Sequence, residues 1–204
     1  MNFDEIAAEW DSEYRINRAK ILSKSLLDNI SNTASKNVLE FGCGTGLISC
    51  ELANKFSQIT CVDTSEKMID VLNKKIKDMK ILNISTDCID LISCQDITAK
   101  YELIYTSMVL HHIKNIDKII HVFHSILNDN GILAIIDLDE DDGSFHKNEI
   151  DFNGHHGFKR NEIKNILLNN NFNNISFKTV FQDEREIDDR VVPYSLFLCL
   201  AQKL

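Results

Sequence analysis

Proline appears once, as Pro193, and glycine only seven times in 204 residues. Flexible linkers between domains are rich in both, so the scarcity predicts one folded unit over residues 1–204. The six cysteines (Cys43, Cys50, Cys61, Cys88, Cys94, Cys199) include no C-x-x-C pair. Zinc sites built from cysteine have no spacing in their favour, and buried, reduced thiols are expected instead. No apolar run approaches the ~18 residues of a spanning helix, so no membrane partner is expected. Met1 to Trp10 is mixed and acidic, unlike a secretory leader, which fits a cytoplasmic protein. Positive charge is also short: 22 Lys+Arg face 31 Asp+Glu, for a net charge of -9. A phosphate backbone would be repelled, so nucleic acid is not an expected partner.

What the chain does have is alternation. Phe3, Ile6, Ala7, Trp10 and Tyr14 recur at helical spacing, and Ala19, Leu22, Leu26 and Ile30 do so again. Short apolar or β-branched runs follow at 38–41, 59–62, 84–89, 103–106 and 132–136, and most are separated by amphipathic stretches. One such stretch carries Met68, Leu72, Ile76 and Met79 on one face, and another carries Ile116, Ile119, Ile120, Phe123 and Leu127. Strands alternating with helices argue a doubly wound, mostly parallel α/β sheet. The tail departs from this pattern: strands expected at 175–181 and 194–200 have no helix between them, which predicts an antiparallel pair at the edge. Ligands of such sheets bind beyond the carboxyl ends of the strands.

The most informative segment is Val38-Leu39-Glu40-Phe41-Gly42-Cys43-Gly44-Thr45-Gly46. Glycine admits positive φ and lets a ligand approach the backbone. A G-x-G-x-x-G fingerprint would need glycine at Leu47, and no Gly-Lys-Ser/Thr follows, so neither dinucleotide nor P-loop chemistry is indicated. Glu40, two residues before Gly42, would repel a pyrophosphate and attract a cationic amino-acid group.

With these residues the chain resembles the class I S-adenosylmethionine-dependent methyltransferases, in particular their small generic methyltransferase-domain proteins. Their acid-then-G-x-G-x-G motif is matched from Glu40 to Gly46, the acid ending strand two by Asp63, and the strand-four landmark by Tyr105-Thr106-Ser107-Met108-Val109-Leu110-His111-His112-Ile113. The likeness spans about residues 35–140. It implies a Rossmann-like sheet of seven strands with an antiparallel C-terminal edge hairpin and N-terminal helices. Residues 1–34 would then form a helical lid segment, and 35–204 the cofactor-binding core and acceptor loops. S-adenosyl-L-methionine is the implied methyl donor and S-adenosyl-L-homocysteine the product. By resemblance, Gly42, Gly44 and Gly46 pass beneath the methionine moiety and Glu40 orients its amino group. Asp63 accepts the ribose hydroxyls, Thr64 and Met68 lie beside the adenine, and Asp90 (rather than Asp87) meets the adenine amino group with Leu91 following. Thr106 lines the floor near the sulfonium.

Beyond strands four and five lie His111, His112, Asp137, His146, His155 and His156. Imidazoles suit a general base, and a neighbouring carboxylate fixes the tautomer. His112, His146, His155 and His156 are the expected acceptor-side catalytic residues. The acidic 139–142 run reads as a solvated loop. No fixed ligand spacing like H-E-x-x-H is present, so catalysis is expected to need no metal. Trp10 and Tyr14 suit either a lid or plain helix packing. The expected function is methyl transfer to a small-molecule acceptor by a monomer or homodimer. A non-catalytic cofactor-binding module and a protein-methylating enzyme are the alternatives.

Overall fold

Short apolar runs become central strands when both of their faces can be covered. In the computed structural model, which describes residues 2–94, 97–149, 152–188 and 190–204, the order begins with α1 (Phe3–Ile6), α2 (Glu13–Asn29), β1 (Asn37–Phe41) and α3 (Leu47–Leu52). β2 (Gln58–Asp63), α4 (Glu66–Asp78), β3 (Ile84–Cys88), β4 (Tyr101–Ser107) and α5 (Ile116–Ile126) follow. β5 (Leu127–Leu138), α6 (Arg160–Asn169), β6 (Phe172–Ile187) and β7 (Arg190–Lys203) complete it. The sheet has seven strands in the order β3-β2-β1-β4-β5-β7-β6. β7 runs antiparallel between β5 and β6, and all other pairings are parallel. The doubly wound α/β expectation with its C-terminal hairpin is therefore met.

The strands supply two cores. Val38 faces a layer made with Leu22, Leu26, Leu52 and Leu72, whereas Leu39 and Phe41 face the layer of Ile119, Ile120, Phe123 and Leu167. Chain order runs outward from β1 on one side and from β4 on the other, so their carboxyl ends diverge into a crevice. Phe41 is level with Val62 on one side and Thr106 on the other, which brings three strand ends to one rim.

Caps fix where helices start. Ser12 accepts the Arg15 N–H at 3.3 Å and starts α2 after a break at Trp10. Ser65 accepts the Met68 N–H at 3.2 Å and starts α4. α3 stops at Leu52 and the chain tightens into a 3-10 turn at Ala53–Lys55. Two details differ from expectation. β6 and β7 extend well past their apolar centres, because Gln182 to Glu186 pair with Val191 to Ser195 by backbone alone and leave no apolar alternation to read. Cys88 and Cys94 are exposed rather than buried, while Cys43, Cys61 and Cys199 are buried as expected. Among the described residues no helix is long and apolar enough to cross a membrane.

Candidate active site

The glycine turn is anchored to the neighbouring strand through its backbone. The N–H groups of Gly42 and Cys43 donate to the Val62 carbonyl at 2.8 and 3.1 Å. Gly42 has φ +70°, and a Cβ there would lie 2.4 Å from Val109 Cγ2. A Cβ on Gly44 would meet nothing nearer than Trp10 Nε1 at 3.9 Å, so this stretch of backbone is bare toward the cavity above it. Asp63 ends β2 with Oδ2 accepting the Gly44 N–H at 2.7 Å and Oδ1 accepting the Ser65 N–H at 2.9 Å. Each oxygen keeps a second lone pair for a ligand hydroxyl. Glu40 is buried and accepts the Tyr105 hydroxyl at 3.0 Å. Burial pushes its carboxyl well above the usual range, and a cation seated against it would bring it back down.

A cavity of about 490 Å³ opens over this turn. Glu40, Gly42, Gly44, Asp63, Thr64, Met68 and Asp90 all line it, as expected from sequence. Asp90 accepts the Ser93 hydroxyl and, at 2.9 Å, the Ile92 N–H, and these bonds hold its carboxyl below the usual range. Three expected residues stand behind the wall instead. Gly46 packs against α4, where a Cβ would lie 2.2 Å from Leu72 Cδ1. Leu91 is buried in the α5 layer, and Ile89 takes its place at the cavity. Thr106 points into the interior with its hydroxyl unpartnered, and Ser107 and Met108 line the floor.

The N-terminal segment crosses the mouth. Asp4 accepts the Ser65 hydroxyl at 2.5 Å and docks α1 on the start of α4. Asp11 accepts the Thr45 hydroxyl at 2.5 Å and pairs with Lys75, which also donates to the Thr45 carbonyl at 2.8 Å. Trp10 is thereby held over Gly44, with the Arg15 guanidinium 4.1 Å from its ring centre. Tyr14 bonds Asp183 at 2.7 Å and also Tyr194, joining α2 to the far hairpin. Trp10 and Tyr14 both line the cavity.

The far wall is built from imidazoles. His111 Nδ1 lies 2.6 Å from Asp137 Oδ1, and both residues are buried. Asp137 is fixed in turn by the Leu138 N–H at 2.8 Å. The His112 and His146 rings flank His111, with centroids 4.1 and 4.9 Å away. Phe152 stacks on His146 at 3.9 Å. One ring nitrogen from each of the three histidines falls within 4.8 Å of the others. Burial pushes His112 down to about 4 and His146 down to about 3, so both are neutral at pH 7.

Of the four histidines expected to be catalytic, His112 and His146 reach the cavity, and His155 and His156 do not. His155 donates from Nε2 to the Ile113 carbonyl at 3.0 Å and from its backbone to the His111 carbonyl at 2.7 Å, so it braces the strand-four loop. His156 packs beside Gly143. The central member of the cluster, His111, was outside the expected catalytic set. The tandem His111-His112 and the Asp137 at the next strand end were the signal that could have found it. Glu149, Arg185 and Tyr194 also line the wall, brought in by segments without a local pattern.

The fold and site define a Rossmann-like α/β protein with a ligand cavity at the carboxyl ends of its strands. Residues 14–177 match the methyltransferase-domain family, and the chain belongs to that family. An uncharacterized methyltransferase of Schizosaccharomyces pombe is 31% identical over 179 residues, which cover 79% of this chain and 63% of that protein. The chain thus spans less than two thirds of that relative's length. Among solved structures, a SAM-dependent methyltransferase from Aquifex aeolicus superposes with TM-score 0.73 at 14% identity, covering 98% of each chain. Haemonchus contortus phosphoethanolamine N-methyltransferase 2, in complex with S-adenosyl-L-methionine, gives TM-score 0.74 at 15% identity, over 89% of this chain and 52% of that one. At these identities the structural likeness speaks for the fold alone.

Proposed function

We propose that the chain transfers a methyl group from S-adenosyl-L-methionine to a small-molecule acceptor. The observation that carries this reading is the placement of Glu40, Gly44, Asp63 and Asp90 around one end of a cavity whose other end is the histidine cluster. Gly44 leaves the backbone bare where a ligand must lie close, and the buried Glu40 has no cationic partner among the described residues. The methionine ammonium would supply that cation. Asp63 would hold the ribose hydroxyls by charge-assisted hydrogen bonds. Thr64, Met68 and Asp90 would enclose the adenine, and Arg15 would offer its charge to the methionine carboxylate.

When bound, the donor supplies a methyl carbon already activated by its sulfonium. The protein's own residues are left with alignment and exclusion of water, which are worth several kcal/mol as effective molarity. The Trp10 lid covers the donor end. On the acceptor side His111, oriented by Asp137, and the uncharged His112 and His146 line the approach. An acceptor entering from this side would meet the Asp137-oriented His111 first among polar groups at the strand ends, which suits a hydroxyl or thiol acceptor held by a hydrogen bond.

The test uses donor labelled in the methyl group, incubated with the protein and a low-molecular-weight metabolite extract. Label should pass into a small molecule and should be lost in Asp63→Ala. Label in macromolecules would point to a protein-methylating enzyme. Tight product binding with no transfer to any fraction would point to a non-catalytic module.

A further inference from the structure

We infer that His111, His112 and His146 form a binding site for one divalent transition-metal ion of the zinc type, with Asp137 as the residue that orients His111. Three observations converge on it. The donor atoms of the three rings already lie within 4.8 Å of one another. Ligands at ~2.1 Å in a tetrahedron stand about 3.4 Å apart, so the set has to tighten by no more than about 1.4 Å to hold an ion.

The second observation is the state of the free nitrogens. His111 commits Nδ1 to Asp137, which leaves Nε2 as its available atom. His146 is buried, and its Nδ1 has no hydrogen-bond partner among the described residues. A buried, unpartnered ring nitrogen is costly in a plain core and is relieved when a cation takes its lone pair. The third observation is the surround. A carboxylate–histidine pair such as Asp137–His111 is the usual outer support of a metal-bound imidazole. On the other side, Glu149 Oε1 lies 3.9 Å from His146 Nε2, a second carboxylate behind a second ligand. Phe152 fixes the His146 ring by stacking.

Three imidazoles select zinc, cobalt, nickel or copper over magnesium or calcium. Three protein ligands also leave a position open toward the cavity, the pattern of a reactive rather than a structural centre. This role for the open position rests on the methyltransferase reading, although binding of the ion does not. An acceptor hydroxyl or thiol taken up there would coordinate as its anion and release its proton to solvent. No motif spacing links the three ligands, because two are adjacent and the third comes from a separate loop.

The experiment titrates zinc(II), and separately cobalt(II), into the chelator-stripped full-length protein by calorimetry and visible absorption. One equivalent should bind, with cobalt giving the intense absorption of a low-symmetry nitrogen site. Asp137→Asn should weaken binding about 10- to 100-fold. His111→Ala, His112→Ala and His146→Ala should each weaken it more than that, and His121→Ala on the exposed face of α5 should leave it unchanged. Should an alanine variant fail to fold, His146→Gln and the metal-dependent rise in melting temperature of the unaltered protein carry the same test. Folded protein that takes up no stoichiometric ion, or whose uptake ignores the three histidines, overturns the inference. Donor binding, measured on the same stripped protein, separates the two readings. Donor bound and no metal bound sinks only this site, whereas metal bound and no donor bound supports the site and sinks the methyl-transfer reading.

Discussion

The two ends of the cavity are built on different principles. At the end proposed for the donor the decisive groups are backbone, a bare glycine turn and carboxylates near the ends of β1 and β2 and just beyond β3, all within residues 40–90. At the acceptor end they are side chains drawn from the loops after β4 and β5 and from the β6–β7 hairpin. The donor end is acidic, with Glu40, Asp63 and Asp90, and the acceptor end is imidazole and arginine. A chemically constant ligand can be met by a local, repeatable motif. A ligand that varies from one relative to the next is met by loops with no shared pattern. Val109 joins the two ends, because it leaves β4 toward the histidines and packs on Gly42.

That junction gives the largest expected effect. Gly42→Ala should cost about 2–4 kcal/mol, combining overpacking against Val109 with a side chain in the left-handed region. Urea denaturation measures it. Adding Val109→Ala should recover the overpacking part and leave the backbone part, which would show how tightly the two ends are coupled.

The next comparison is kinetic. His111→Ala should lower turnover about 100-fold while donor affinity changes less than about twofold. Asp63→Ala should do the reverse, weakening donor and product by about 1.5–3 kcal/mol in calorimetry. If either variant damaged both quantities equally, the division of the cavity would be wrong.

The smallest effect concerns Glu40. Its folded-state carboxyl is raised by burial, so the native state keeps a proton that the unfolded chain has lost. Stability should therefore fall as pH rises above the ordinary value of 4.5 and through the folded one. Glu40→Gln should flatten that decline in urea melts of the ligand-free protein, and should still weaken donor binding. A variant with the same pH slope as the parent would place the titration elsewhere.

How much of this was legible in sequence follows the same division. Glu40, Gly42, Gly44 and Asp63 were found because each strand end and the turn after it are contiguous and their periodicity is plain. Gly46, Leu91 and Thr106 were expected at the cavity but pack against α4, within the α5 layer and in the interior, and residue type alone does not say which way a turn or strand-end residue faces. His155 and His156 looked like pocket residues on their loop, but the His155 ring bonds the Ile113 carbonyl and its backbone N–H the His111 carbonyl, which commits that loop to bracing. Arg185 and Tyr194 were invisible, since they arrive on hairpin extensions held by backbone pairing rather than by an apolar pattern. The parallel core was readable for the opposite reason: strands covered on both faces are continuous apolar runs.

The most direct measurement is a calorimetric titration of the chain with S-adenosyl-L-homocysteine, run on the parent, Asp63→Ala and His111→Ala side by side. One site per chain is expected, with affinity sharply reduced by Asp63→Ala and nearly untouched by His111→Ala. No heat with this nucleoside on a folded parent protein, together with clear binding of NAD, would contradict it.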